Sequence, residues 1–133
     1  MKYLPLFLLL IFSSVSGQNL ISKNESYPTF QSCKNSPKAE QETCFKNELK
    51  SFILSNYNEP SIVASENYEG VATVIFEVDK DGVFQVLYVN SDYKEINQEL
   101  ESVFNNIPKI NPATYNGKQT YVQFRMTLKI PLS

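Results

Sequence analysis

"VATVIFEVDKDGVFQVLYV", residues 71–89, decides the architecture. Its first half alternates. Ala72, Val74, Phe76 and Val78 fall on one face and Thr73, Ile75 and Glu77 on the other, the period of a half-buried strand. "DKDG", from Asp79 to Gly82, reads as a turn, with Gly82 able to take positive φ. The second half returns as the other strand of a β-hairpin. Its alternation is less regular: Phe84, Leu87 and Val89 share the core face only if a bulge falls near Gln85 and Val86. A cleaner run closes the chain, "YVQFRMTLKI", residues 121–130. Val122, Phe124, Met126, Leu128 and Ile130 are its apolar face, and Gln123, Arg125, Thr127 and Lys129 its polar face.

Two helical stripes flank the hairpin. Upstream, Ser36 is placed to cap a helix and Pro37 suits the first helical position. Glu40 and Glu42 in the early turns complement the helix dipole. Phe45, Leu49, Phe52, Ile53 and Tyr57 make one apolar stripe. Residues 56–60 read as a turn or an extended link, because the residue before a proline avoids the helical region, and Ile62 to Ser65 suit a short helical turn. Downstream, Asp92 and Glu95 fit a capping box. Ile96, Leu100, Val103, Phe104 and Ile107 form the second stripe, which Pro108 stops. "INPATYNGK" reads as a loop, with Pro112 breaking regular structure and a turn at Asn116 and Gly117. The order helix, strand, strand, helix, strand predicts an α+β fold: a three-stranded antiparallel sheet with two helices packed on one face. The other sheet face, carrying Thr73, Gln123, Arg125 and Thr127, meets solvent.

The chain begins "MKYLPLFLLLIFSSVSGQ". A charged start, an apolar run and a small-residue stretch have the form of a secretory leader, with cleavage expected between Gly17 and Gln18. The apolar run falls short of the roughly 20 residues that a membrane span needs. The expected organisation is therefore a leader at 1–17, a polar arm without periodicity at 18–35, and one domain at 36–133. The formal charge is −2, and loss of Lys2 with the leader makes it more acidic. No basic cluster is present to hold phosphates, so nucleic acid is not an expected partner. The two cysteines, Cys33 and Cys44, are an even count in an exported chain, which favours a structural disulfide. Their spacing suits neither a redox pair nor, without any histidine, a zinc site.

Catalytic signals are thin. The absence of histidine removes the commonest general base, and the four glycines are scattered rather than grouped in a phosphate loop. Glu95 and Glu99 share a helix face and read as solvated. "DKDG" matches the start of a calcium loop but lacks the downstream bidentate glutamate. An enzyme, a cofactor and a metal are all unexpected.

Residues 45–131 together resemble the C-terminal domain of TonB-type proteins. The resemblance lies in order and spacing: Gly70 opening an apolar strand, Asp81 and Gly82 in the turn, a return strand, a helix, Pro112 and Ala113, Gly117 and Lys118, then the alternating last strand. It implies a periplasmic protein that captures an extended segment, the TonB box of an outer-membrane transporter, as an extra strand beside its last strand. The pairing edge implied here carries Tyr121, Gln123, Arg125, Thr127 and Lys129. The partner-contacting link implied is Tyr57, Asn58, Glu59 and Pro60, although the family's Y-P motif here reads "NYNEP". A Pro/Lys-rich spacer is missing. Cys33 and Cys44 resemble an extension of short exported members. Two alternatives stand beside the soluble binding module. One is a minimal transducer, anchored and coupled to an inner-membrane motor if the leader is retained. The other is a self-associating envelope protein, a homodimer through the last-strand edge.

Overall fold

The computed structural model describes residues 25–132. The expected leader and its cleavage point lie outside the described residues. The hairpin forms where its alternation places it, as β2 (Gly70–Val78) and β3 (Phe84–Asn90). The last strand, β6 (Val122–Ile130), pairs antiparallel with β2 along its whole length, from Gly70 opposite Ile130 to Val78 opposite Val122. The main sheet thus has the order β3-β2-β6. Ala72, Val74, Phe76 and Val78 of β2 are fully buried. Against them pack α1 (Gln41–Asn56), through Phe45, Leu49 and Ile53, and α3 (Lys94–Asn105), through Ile96, Leu100, Val103 and Phe104; the expected short helical turn forms between them as α2 (Ser61–Ser65), with Val63 buried. The expected α+β fold, two helices on one face of a three-stranded antiparallel sheet, is what forms.

The hairpin turn is held by one carboxylate. Asp79 Oδ1 accepts the N–H groups of Asp81 (2.9 Å) and Val83 (3.0 Å), and its Oδ2 accepts from the Gln85 amide (3.2 Å). Gly82 adopts φ +86°, and a Cβ there would collide with the Ile110 carbonyl. Only glycine satisfies both conditions. A bulge follows, as expected, but one residue later. Phe76 faces Val86 while Ile75 faces Tyr88, so Leu87 has no partner. Phe84, Val86 and Val89 therefore turn inward. Leu87 is not on the core face; it is half exposed.

Three further expectations are corrected. The first helix does not start at Ser36. Pro37 is extended (ψ 150°), Lys38–Glu40 make a single 3-10 turn, and α1 begins at Gln41. The extended backbone at Pro37 lets the chain double back so that Cys33 bonds Cys44, across a Cα separation of 6.0 Å. Closing a loop of this length contributes on the order of 2–3 kcal/mol. Nor does Asp92 cap α3. It accepts the Tyr68 hydroxyl at 2.8 Å, and the N-cap position falls to Tyr93 in extended conformation. Finally, "INPATYNGK" is not a loop. It holds β4 (Ala113–Tyr115) and the first residue of β5 (Lys118–Thr120), joined by the tight turn at Asn116 and Gly117.

A second small sheet results, because β1 (Glu25–Ser26) pairs with β4. Ser26 Oγ lies 2.7 Å from Thr114 Oγ1, and a further bridge joins Thr29 to Asn111. The described part of the polar arm is therefore woven into the fold. Pro28 and Cys33 are buried, and Tyr27 and Phe30 lie against Phe45 at ring-centre distances of 5.5 and 5.6 Å. Phe45 also stacks on Phe124 of β6 at 4.9 Å and faces Phe84 at 6.3 Å.

Two stability effects follow. Phe45→Ala should cost about 3–5 kcal/mol in urea unfolding, the range for deleting a buried ring. The hydrogen bond from the Val83 N–H, with those from Gln85 and Asp81, holds the Asp79 carboxyl below its usual 3.8. A lowered folded value adds stability above pH 3.8 that is lost as pH falls through the folded value. The unfolding midpoint of Asp79→Ala should accordingly trail the unchanged protein at neutral pH and converge with it in acid.

Candidate functional site

An antiparallel strand directs alternate pairs of its N–H and C=O groups to its two sides. One side of β6 is filled by β2. Among the described residues no strand pairs with the other. The sheet has a second open edge, β3, which the sequence did not single out. The two edges differ in regularity. β3 is broken by the bulge at Leu87, and α3 packs closely against it. β6 keeps one register over nine residues with no bulge and no proline inside it.

Its side chains divide as the alternation dictates. Gln123, Arg125, Thr127 and Lys129 are exposed on the face away from the helices. Phe124, Met126 and Leu128 point to the core but are only half buried, whereas Ile130 is fully covered. An inward residue on an inner strand is enclosed from both sides, as Val74 and Phe76 are. On β6 that cover is partial: Tyr27 of the arm lies 5.8 Å from Phe124, but no described strand lies along the outer edge. An added strand would supply both missing backbone partners and apolar cover.

Tyr121 sits just before β6 and is 61 % exposed. It lies between two shallow hollows, one lined by the hairpin tip from Glu77 to Asp81, the other by Glu25, Tyr27, Thr114 and Tyr115. The far end of β6 meets the other predicted segment. Tyr57 is extended (φ −80°, ψ 128°), as is Pro60. Between them Glu59 acts as a latch. Its Oε2 accepts the Tyr57 hydroxyl (2.8 Å) and its Oε1 accepts the Leu132 N–H (3.1 Å) just beyond β6. The Asn58 N–H donates to Glu99 Oε2 at 2.9 Å. Glu99 is therefore more than part of a solvated face: it ties the link to α3.

All nine predicted residues thus lie along or at the ends of one strand, with 57–60 at its C-terminal end and Tyr121 at its N-terminal end. The Glu59 latch was not foreseen. Its one sequence signal is a carboxylate two residues after a tyrosine in a link already read as extended.

No family model matches the sequence, and no curated protein matches it. Among solved structures, the solution structure of the TonB C-terminal domain of Helicobacter pylori is similar, at 18 % identity and a TM-score of 0.42. The match covers 64 % of this chain and 90 % of that one. A likeness of that size assigns neither a fold nor a role.

Burial, with the carboxylates of Glu59 and Glu99 beside it, pushes the Tyr57 phenol above its ordinary range. The neutral phenol therefore stabilises the fold fully below about pH 10, and that contribution is lost as pH rises through the folded value. Glu59→Gln should let Tyr57 ionise at lower pH, though still later than a free tyrosine. The check is ultraviolet difference titration, with Tyr57→Phe identifying the signal.

Proposed function

We propose that this protein is an exported binding module that captures an extended peptide segment by adding it as a strand to the vacant edge of β6. The observation that supports this most is the nine-residue, unbulged register of β6, with one edge unfilled among the described residues. Unpaired backbone groups on such an edge are satisfied by a peptide in extended form, and alternate side chains of that peptide then fall on the two sheet faces. The half-covered Phe124, Met126 and Leu128 offer an apolar strip to one set of those side chains. The TonB-like order of motifs in the sequence points to the segment's source, an outer-membrane transporter whose periplasmic end is extended. The Cys33–Cys44 disulfide agrees with an oxidising compartment.

Force transmission from an inner-membrane motor would need an anchor. No helix among the described residues is long and apolar enough to cross a membrane. Nothing in the strand-addition mechanism requires one. The module holds its segment through main-chain hydrogen bonds, and it needs no bond-making chemistry to do so.

Titrating an extended seven-residue peptide of alternating apolar residues into isotopically labelled protein should shift backbone amides in β6 most strongly. The same peptide with its backbone nitrogens methylated should lose that effect, since methylation removes the donors the edge needs. Shifts centred on α3, or equal shifts with both peptides, would refute strand addition.

A further inference from the structure

The exposed face of β6 is cationic, and no acidic residue stands directly opposite its cations on β2. In an antiparallel pair, directly opposite residues have Cβ atoms about 4.5–5.5 Å apart, close enough for charges to interact. Arg125 lies opposite Ile75, and Lys129 lies opposite Val71. Thr127 between them faces Thr73. The nearest acid on β2, Glu77, faces Gln123 and stands only on a diagonal to Arg125. Among the described residues neither Arg125 nor Lys129 forms an ion pair; the ion pair found there is Lys46 with Glu42. Both cations are solvent-exposed. The position directly opposite each of them on the vacant side is empty of any described strand.

We infer that the edge of β6 selects acidic segments: an extended peptide with two carboxylates four residues apart on one face and apolar residues on the other. The inference rests on strand addition at β6. The four-residue interval is that between Arg125 and Lys129, which a second strand matches residue for residue. The apolar positions between the two acids then fall on the inner face, beside the half-covered Met126 and Leu128. The same charges disfavour a second copy of this chain as the occupant. Two β6 strands paired antiparallel about Thr127 would set Arg125 opposite Lys129 of the other copy, twice over, and like charges directly opposite are destabilising.

The test uses the palindromic peptide Val-Glu-Val-Thr-Val-Glu-Val, which presents its acids to positions 125 and 129 in either chain direction. It is compared with versions carrying Gln or Lys in place of both Glu. Binding is followed by amide shifts across residues 121–130. The acidic peptide should bind about fivefold tighter than the Gln version, the scale of two exposed ion pairs. The Lys version should be weaker still, and added salt should narrow the differences. Arg125→Glu combined with Lys129→Glu should reverse the order of the acidic and basic peptides. Equal affinity for the three peptides, with shifts still on β6, would overturn acid selection while leaving strand addition standing. No shift on β6 with any peptide would overturn both. Concentration-dependent shifts of β6 in peptide-free protein would make a second copy the occupant and overturn the inference as well.

Discussion

The stacking of Phe45 on Phe124 is the contact on which the other parts of this fold depend. Phe45 reaches four rings, from the N-terminal arm (Tyr27, Phe30), the hairpin (Phe84) and the last strand (Phe124). Phe76 carries the cluster on to Phe84, Phe104 and Phe124. Segments far apart in sequence thus share one patch of buried aromatic surface. The disulfide at Cys44, one residue before Phe45, fixes the arm where that patch needs it. Without this cluster Phe124 would lose the stacking on Phe45 and Phe76 that fastens β6 to the core.

The elements whose apolar residues repeat at a strict period could be read directly. β2, β6, the body of α1 and the body of α3 owe their form to one-sided burial, and burial shows in sequence as periodicity. The errors fall where a non-local contact outweighs local preference. Ser36 and Pro37 are good helix-start residues, but the path to the disulfide holds Pro37 extended. Asp92 is a good cap, but the Tyr68 hydroxyl takes its carboxylate. Three residues at a time, β4 and β5 are too short for alternation to show, and β4 exists as a strand partly because β1 lies beside it. The candidate site was legible along β6, where it depends on pattern. The Glu59 latch and the openness of the β3 edge were not, since each depends on geometry between distant residues.

A polar contact at the C-terminal end of β6 ties the strand to the link at residues 57–60. Glu59 grips the backbone past one end, and at the other Tyr121 stands between the hairpin tip and the small sheet. A vacant edge is usable as a template only if it stays straight while empty. Pairing with β2 over nine residues supplies that stiffness, and the Glu59 contact limits fraying at the C-terminal end.

The bulge at Leu87 has a consequence for assembly. A sheet with two regular open edges can grow without limit, because each added copy offers a fresh edge to the next, and such head-to-tail contacts lead to filaments. Here the β3 edge has its ladder interrupted at mid-strand. A copy docked head to tail on β6 of its neighbour would have to offer β3, and the extra residue would put half of that strand out of register, while a copy offering its own β6 would leave only bulged β3 edges for a third. Head-to-tail growth through the sheet is therefore opposed at its first step by the interrupted β3 ladder.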